Sequence, residues 1–217
     1  MNALIPGLPA NFLPTFLAGM LINFEIAAIA LGLGLAAGLL LAGLNLYRGI
    51  VGKASRSVVG LMRAAPTFVV MFFLLNTLPR DAGLSGVMIV ALSLVPYAAA
   101  YIADSAVDAL RQLRAGSPLA GFLILPNIAR AFFVMVMSSS AGAAIGVHEG
   151  IAVILRQAET LHSLGQMLVL FALGIACFGI PLQAGFAVIR AIQRHLGRIA
   201  LRNRERRLTA EATLQID

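Results

Sequence analysis

Charged residues are scarce in this chain, 16 basic and nine acidic among 217. A soluble domain carries about 25% charge, against 12% here. Too few polar groups remain to cover a water-facing surface, which excludes a soluble globular fold. The lone cysteine, Cys177 in the apolar setting IACFGI, excludes an intrachain disulfide and reads as a small packed residue. No phosphate-cradling GxxxxGK[ST] occurs, so the chain is not its own ATPase. No nucleophile–base constellation stands out, so an enzyme reading has nothing to rest on and no cofactor is implied. There is no Lys or Arg before Arg48. The basic start of a signal peptide is therefore missing, and the first apolar helix is expected to be retained.

What is present is apolar, at 60% of residues with a mean hydropathy of +0.93. A bilayer core of about 30 Å takes about 20 helical residues. On that measure the spans are Leu17–Tyr47, Val58–Leu78, Ser85–Ala103, Leu119–Val147 and Leu164–Ile189. Glu25 is the only charge in the first, and Arg63 interrupts the second near its start. The fourth contains Pro126 and Arg130, and only its part from Ala131 is a clean apolar run. The fold class is an all-α membrane protein of about five transmembrane helices.

Basic residues fix the orientation, because short cytoplasmic loops retain Lys and Arg. Five spans place the N-terminus and the loops 79–84 and 148–163 on one side, with only Arg80 and Arg156. The other side holds Arg48, Lys53, Arg56, Arg111, Arg114 and the tail arginines from Arg190 to Arg207. The N-terminus is expected outside and the C-terminus in the cytoplasm. The domains read as an outer segment 1–16, a transmembrane domain 17–189 and a basic tail 190–217. The tail reads as a helical extension of the last span, either touching anionic headgroups or docking a partner protein. The net charge of +7 does not point to nucleic acid, since the cations sit at the ends of apolar segments rather than on one polar face.

A few polar features interrupt the apolar background. Gly34 and Gly38 have GxxxG spacing, which suits close helix packing. Glu25 is expensive in a span and should face protein or water, as a solute contact or near the outer headgroups. Ser138, Ser139 and Ser140, followed by small residues, suit either tight packing or a water-lined path. His148, Glu149, Arg156, Glu159 and His162 lie in an outer segment whose apolar positions fit an interfacial helix. With no HxxxH pair, these residues make a poor metal site, and no metal ligand is assigned.

Several segments together resemble the permease subunits of ABC importers for polar amino acids. FLAGMLINFEIAAIALGLGLAAGLLLAGLNLYR is similar to that family's opening span. LMRAAPTFVVMFFLLNTLP resembles its second span, with Arg63 and Pro66 at the matching places, where both read as structural. VALSLVPYAAAYIADSAVDAL resembles the third, through Tyr97, Ala100, Tyr101 and Asp104. LILPNIAR resembles the end of the cytoplasmic coupling loop, with Leu125 and Pro126 as its Leu-Pro pair, and SSAGAAIGVHE resembles the stretch that ends in Ile-Gly-Val. The likeness covers roughly residues 16–200.

The resemblance implies a multi-pass protein of a bacterial inner membrane that forms half of an alternating-access path for an amino acid or similar polar solute. The partners it implies are a second permease subunit, two cytoplasmic ATPase subunits and a periplasmic solute-binding protein, besides the lipid bilayer. Path residues would be Ser138, Ser139, Ser140 and Glu25. ATPase contacts would be Ala109, Arg111, Arg114 and Gly116. In one respect the chain departs from the family. Only nine residues separate Gly116 from Pro126, so most of the coupling helix, with its acidic residue, is missing. Either this is the degenerate half of a heteromeric pore, or Ala106–Gly116 form a shorter substitute helix. A competing class is a non-transporting scaffold or regulatory subunit derived from a permease. An ion-coupled transporter is disfavoured, because the spans hold almost no ionisable residues.

Overall fold

The computed structural model describes residues 8–79, 81, 83–114 and 124–214, and side chains up to His195, with Gly197 and Arg198. Helix α1 runs Phe12–Asn45, α2 Ile50–Ala64, α3 Thr67–Thr77 and α4 Gly86–Arg114. Then come α5 (Ile124–Ser138), a 3-10 turn at Ser139–Ile145, α6 (Gly150–Glu159) and α7 (Leu164–Leu214). The described residues contain no strand. Among the described residues four helical segments are long and apolar enough to cross a bilayer, and α2 with α3 makes a fifth if that bent pair is one span.

The central element is the seam between α1 and α4, which has the most extensive helix–helix contact. A Cβ added to Gly34 would lie 2.3 Å from the Ala98 Cβ, and one on Gly38 would lie 2.6 Å from the Ala99 carbonyl oxygen. Further along, Ala42 packs with Ala106 and Val107. Glycine and alanine here let two backbones approach where no larger side chain fits. Gly34 meets Ala98, Gly38 meets Ile102 and Ala42 meets Ala106, so numbers rise together and the two helices run parallel. The chain between them has to travel back along their length.

That return is not the single second span expected from Val58 to Leu78. It is broken, with α2 and α3 bent by 94°. Pro66 lacks an N–H and its ring disfavours helical geometry at Ala65. Ala65 (ψ 116°) and Pro66 (ψ 123°) are accordingly extended. The fourth span also ends differently, passing from α5 into the 3-10 turn. Gly146, at φ 84°, closes that turn, and the Val147 N–H donates to the Gly142 carbonyl at 3.0 Å.

The segment 148–163 forms the expected helix as α6, but it does not lie free on a surface. Ile154 and Ala158 pack with Phe12, Phe16 and Leu170 from α1 and α7. The last span and the basic stretch beyond it form one continuous helix to Leu214. Ala106–Arg114 are the final turns of α4 rather than a separate short helix.

Candidate functional site

Two polar clusters tie the helices together, one at each end of the α1–α4 seam. At one end Asn23, Ser139 and Glu149 are all fully buried. The Asn23 Nδ2 donates to the Ser139 hydroxyl and to the Glu149 carboxylate, both at 2.8 Å. Its Oδ1 accepts from the Gly150 N–H at 2.9 Å. The Glu149 carboxylate also caps α6, accepting from Ile151 N–H and Ala152 N–H at 2.8 Å each. Asn23 thus uses both ends of its amide to join α1 to the 3-10 turn and to the start of α6. Burial pushes the Glu149 carboxyl above the ordinary carboxylate range, and the donors from Ile151, Asn23 and Ala152 pull it back.

The three serines, expected together on one path, are separated by the 3-10 geometry. Ser139 points inward and is spent on the network, also donating to the Val136 carbonyl at 2.7 Å. Ser138 and Ser140 are half-buried and line a shallow cavity of about 380 Å³ with Thr67, Phe68 and Ala141. Ser140 also borders a cavity of about 450 Å³ between α5, α6 and α7. Phe133, Phe171, Phe178 and Phe186 wall this larger cavity, Asn23 and Gln183 add amides, and among the described residues no charged one lines it.

Glu25 does not join them. It is exposed, about 160° around α1 from Asn23 at 100° per residue, and among the described residues it lines neither serine cavity. The polar residue of that span that joins the buried network is Asn23, which reading by charge passes over. Glu149 carried a usable signal: a carboxylate immediately before an apolar helical stripe is an N-cap candidate. Among the described residues no three of His, Cys, Asp and Glu come together as a metal site.

At the opposite end Arg63, in the last turn of α2, pairs with Asp104 of α4. This ion pair is half open to solvent, with the side chains 59% and 45% exposed. Ser55 Oγ donates to the Leu41 carbonyl at 2.8 Å, and Arg56 reaches the Asn45 side-chain oxygen at 3.1 Å. Beyond this level α4 continues for ten residues, about 15 Å. Arg111 and Arg114 are exposed there, Arg111 3.8 Å from Asp108. Ala109, between them and the bundle, is buried at 7% exposure. Gly116 lies outside the described residues.

No protein-family model matches the sequence, and neither does any curated protein. Solved structures do match in fold. A crystal structure of an amino acid ABC transporter with histidines aligns with a TM-score of 0.67 at 17% identity, over 85% of this chain and 95% of that one. A methionine ABC transporter in inward-facing conformations aligns in two crystal forms, with TM-scores of 0.61 and 0.66 at 18% and 16% identity. Each covers 85% of this chain and 99% of the other. The chain shares the fold of these ABC transporter chains.

Proposed function

We propose that this chain is a transmembrane permease subunit of an ABC importer, forming half of an alternating-access path for an amino acid or similar polar solute. The observation that supports this most strongly is the extent of the fold match. It takes in 85% of this chain and nearly all of each transporter subunit, so the likeness is to a whole subunit rather than to a helix pair.

In this reading Ser138 and Ser140 face the solute path, while Ser139 holds the turn that presents them. Arg111 and Arg114, on the end of α4 that projects past the Arg63–Asp104 level, contact a cytoplasmic ATPase, and a periplasmic binding protein delivers solute at the Asn23 end. ATP hydrolysis belongs to separate subunits. The shortened segment between α4 and α5 favours a heteromeric pore, in which a second, longer permease chain does most of the coupling. Transport then requires no covalent chemistry in this chain, only a shift between two states that bind ligands unequally.

The test is purification of the tagged chain from its native membranes, followed by reconstitution into vesicles with whatever subunits accompany it. A transporter half brings stoichiometric ATPase and a second permease, and supports ATP-dependent uptake from a mixture of radiolabelled amino acids. Recovery of the chain alone, or of a complex with no ATPase activity, would support the scaffold reading instead.

A further inference from the structure

Helix α2 has three distinct sectors around its axis. Gly52, Ser55 and Val59 are buried against the bundle. Ile50, Val51, Val58 and Leu61 are exposed at 86%, 51%, 43% and 73%. At 100° per residue these four occupy a sector about 100° wide, and Lys53 falls about 110° and Arg56 and Arg63 about 170° away from its centre. Such a helix has an apolar face that no described residue covers and a basic face turned away from it.

Its surroundings indicate what covers that face. The 94° bend sets α2 across the direction of α3, which is apolar throughout. If α3 runs through the hydrocarbon, α2 lies in the plane of the bilayer surface. Tyr47, an aromatic with a polar tip, is 65% exposed just before α2, beside the exposed Arg48. Interfacial anchors have this composition. No acidic residue occurs between Glu25 and Asp81. Arg63 is taken by Asp104 and Arg56 by Asn45, whereas Arg48 and Lys53 have no ion pair among the described residues.

We infer that α2 is an interfacial helix that recognises an anionic phospholipid surface, with Val51, Val58 and Leu61 among the acyl chains and Arg48 and Lys53 on the headgroups. The inference rests on the bilayer-crossing reading but not on any particular transport partner.

The full-length protein carrying Cys177→Ser, in lipid nanodiscs, provides the test. Single cysteines at Val58, Leu61 and Lys53 carry a fluorophore, with Leu33 and Ile175 as controls on the exposed faces of α1 and α7. Acyl-chain quenchers should reach the labels at 58 and 61, and an aqueous quencher the label at 53. Brominated phosphatidylglycerol should associate near α2 in preference to brominated phosphatidylcholine. Removing Arg48 and Lys53 together (R48Q/K53Q) should lower that preference, by roughly fivefold for each cation. Labels at 58 and 61 shielded from both quenchers would mean that protein covers this face, and would overturn the inference. An unchanged lipid preference in R48Q/K53Q would overturn it as well. If the controls at 33 and 175 also escape the acyl-chain quenchers, the bilayer-crossing reading fails with it.

Discussion

The two ends of the α1–α4 seam solve one problem in opposite ways. Both use polar side chains to tie helices together in a mostly apolar molecule. At the Asn23 end the polar atoms are buried and every one is matched, within a single cluster spanning α1, the 3-10 turn and α6. At the Asp104 end the link is an ion pair open to solvent, with separate hydrogen bonds from Ser55 and Arg56 beside it. A buried polar group left without its partner costs the full desolvation of that group. A solvent-exposed ion pair exchanges its partner for water at little cost. The first end is therefore built to stay closed as a unit, and the second can rearrange.

The contrast is broken most severely by Glu149→Ala. Three N–H donors then lose their acceptor inside the protein, and at about 1–3 kcal/mol each, partly relieved by relaxation, the loss should reach about 4 kcal/mol. Thermal unfolding in detergent should show a large fall in midpoint, and a drop comparable to that of Arg63→Gln would remove the distinction between the ends. Gly34→Val tests the seam between them. Its side chain meets the Ala98 Cβ, so overpacking should cost about 1–3 kcal/mol by the same assay. At the open end, Arg63→Gln should cost under about 1 kcal/mol. Gly32→Ala serves as the control for the glycines. Nothing lies within 4 Å of a Cβ there, so the midpoint should hold or rise by the equivalent of about 0.5–1 kcal/mol, through lower unfolded-chain entropy.

A pH titration sharpens the comparison with the smallest effect. Because the folded carboxyl of Glu149 binds its proton more tightly than the unfolded one, the folded state holds more protons between the two values. Stability should therefore fall as pH rises from the ordinary carboxylate range up to the raised value of Glu149. Glu149→Gln should flatten that part of the curve, and an identical slope in wild type and variant would assign the effect to other groups.

The membrane class and four of the helices were legible in the apolar runs, because a helix that meets hydrocarbon has to be apolar along its length whatever it packs against. The bend in the second span was not. Arg63 marked an interruption, but the residue that turns the chain is Pro66, and a proline within a span can be tolerated, as Pro96 in α4 and Pro181 in α7 are. The site was read through charge and hydroxyl density, which favoured Glu25 and all three serines. Position around a helix, which such density does not carry, turns Ser139 and Asn23 inward and leaves Glu25 exposed.

Composition alone determined that this protein belongs in a bilayer, since 12% charge cannot clothe a soluble surface. The spacing of Gly34 and Gly38 determined that one helix would be approached closely. Only the folded chain decided which helix approaches, in which direction it runs and which polar groups meet, because Asn23 and Glu149 stand 126 residues apart and no local pattern carries a contact over that distance.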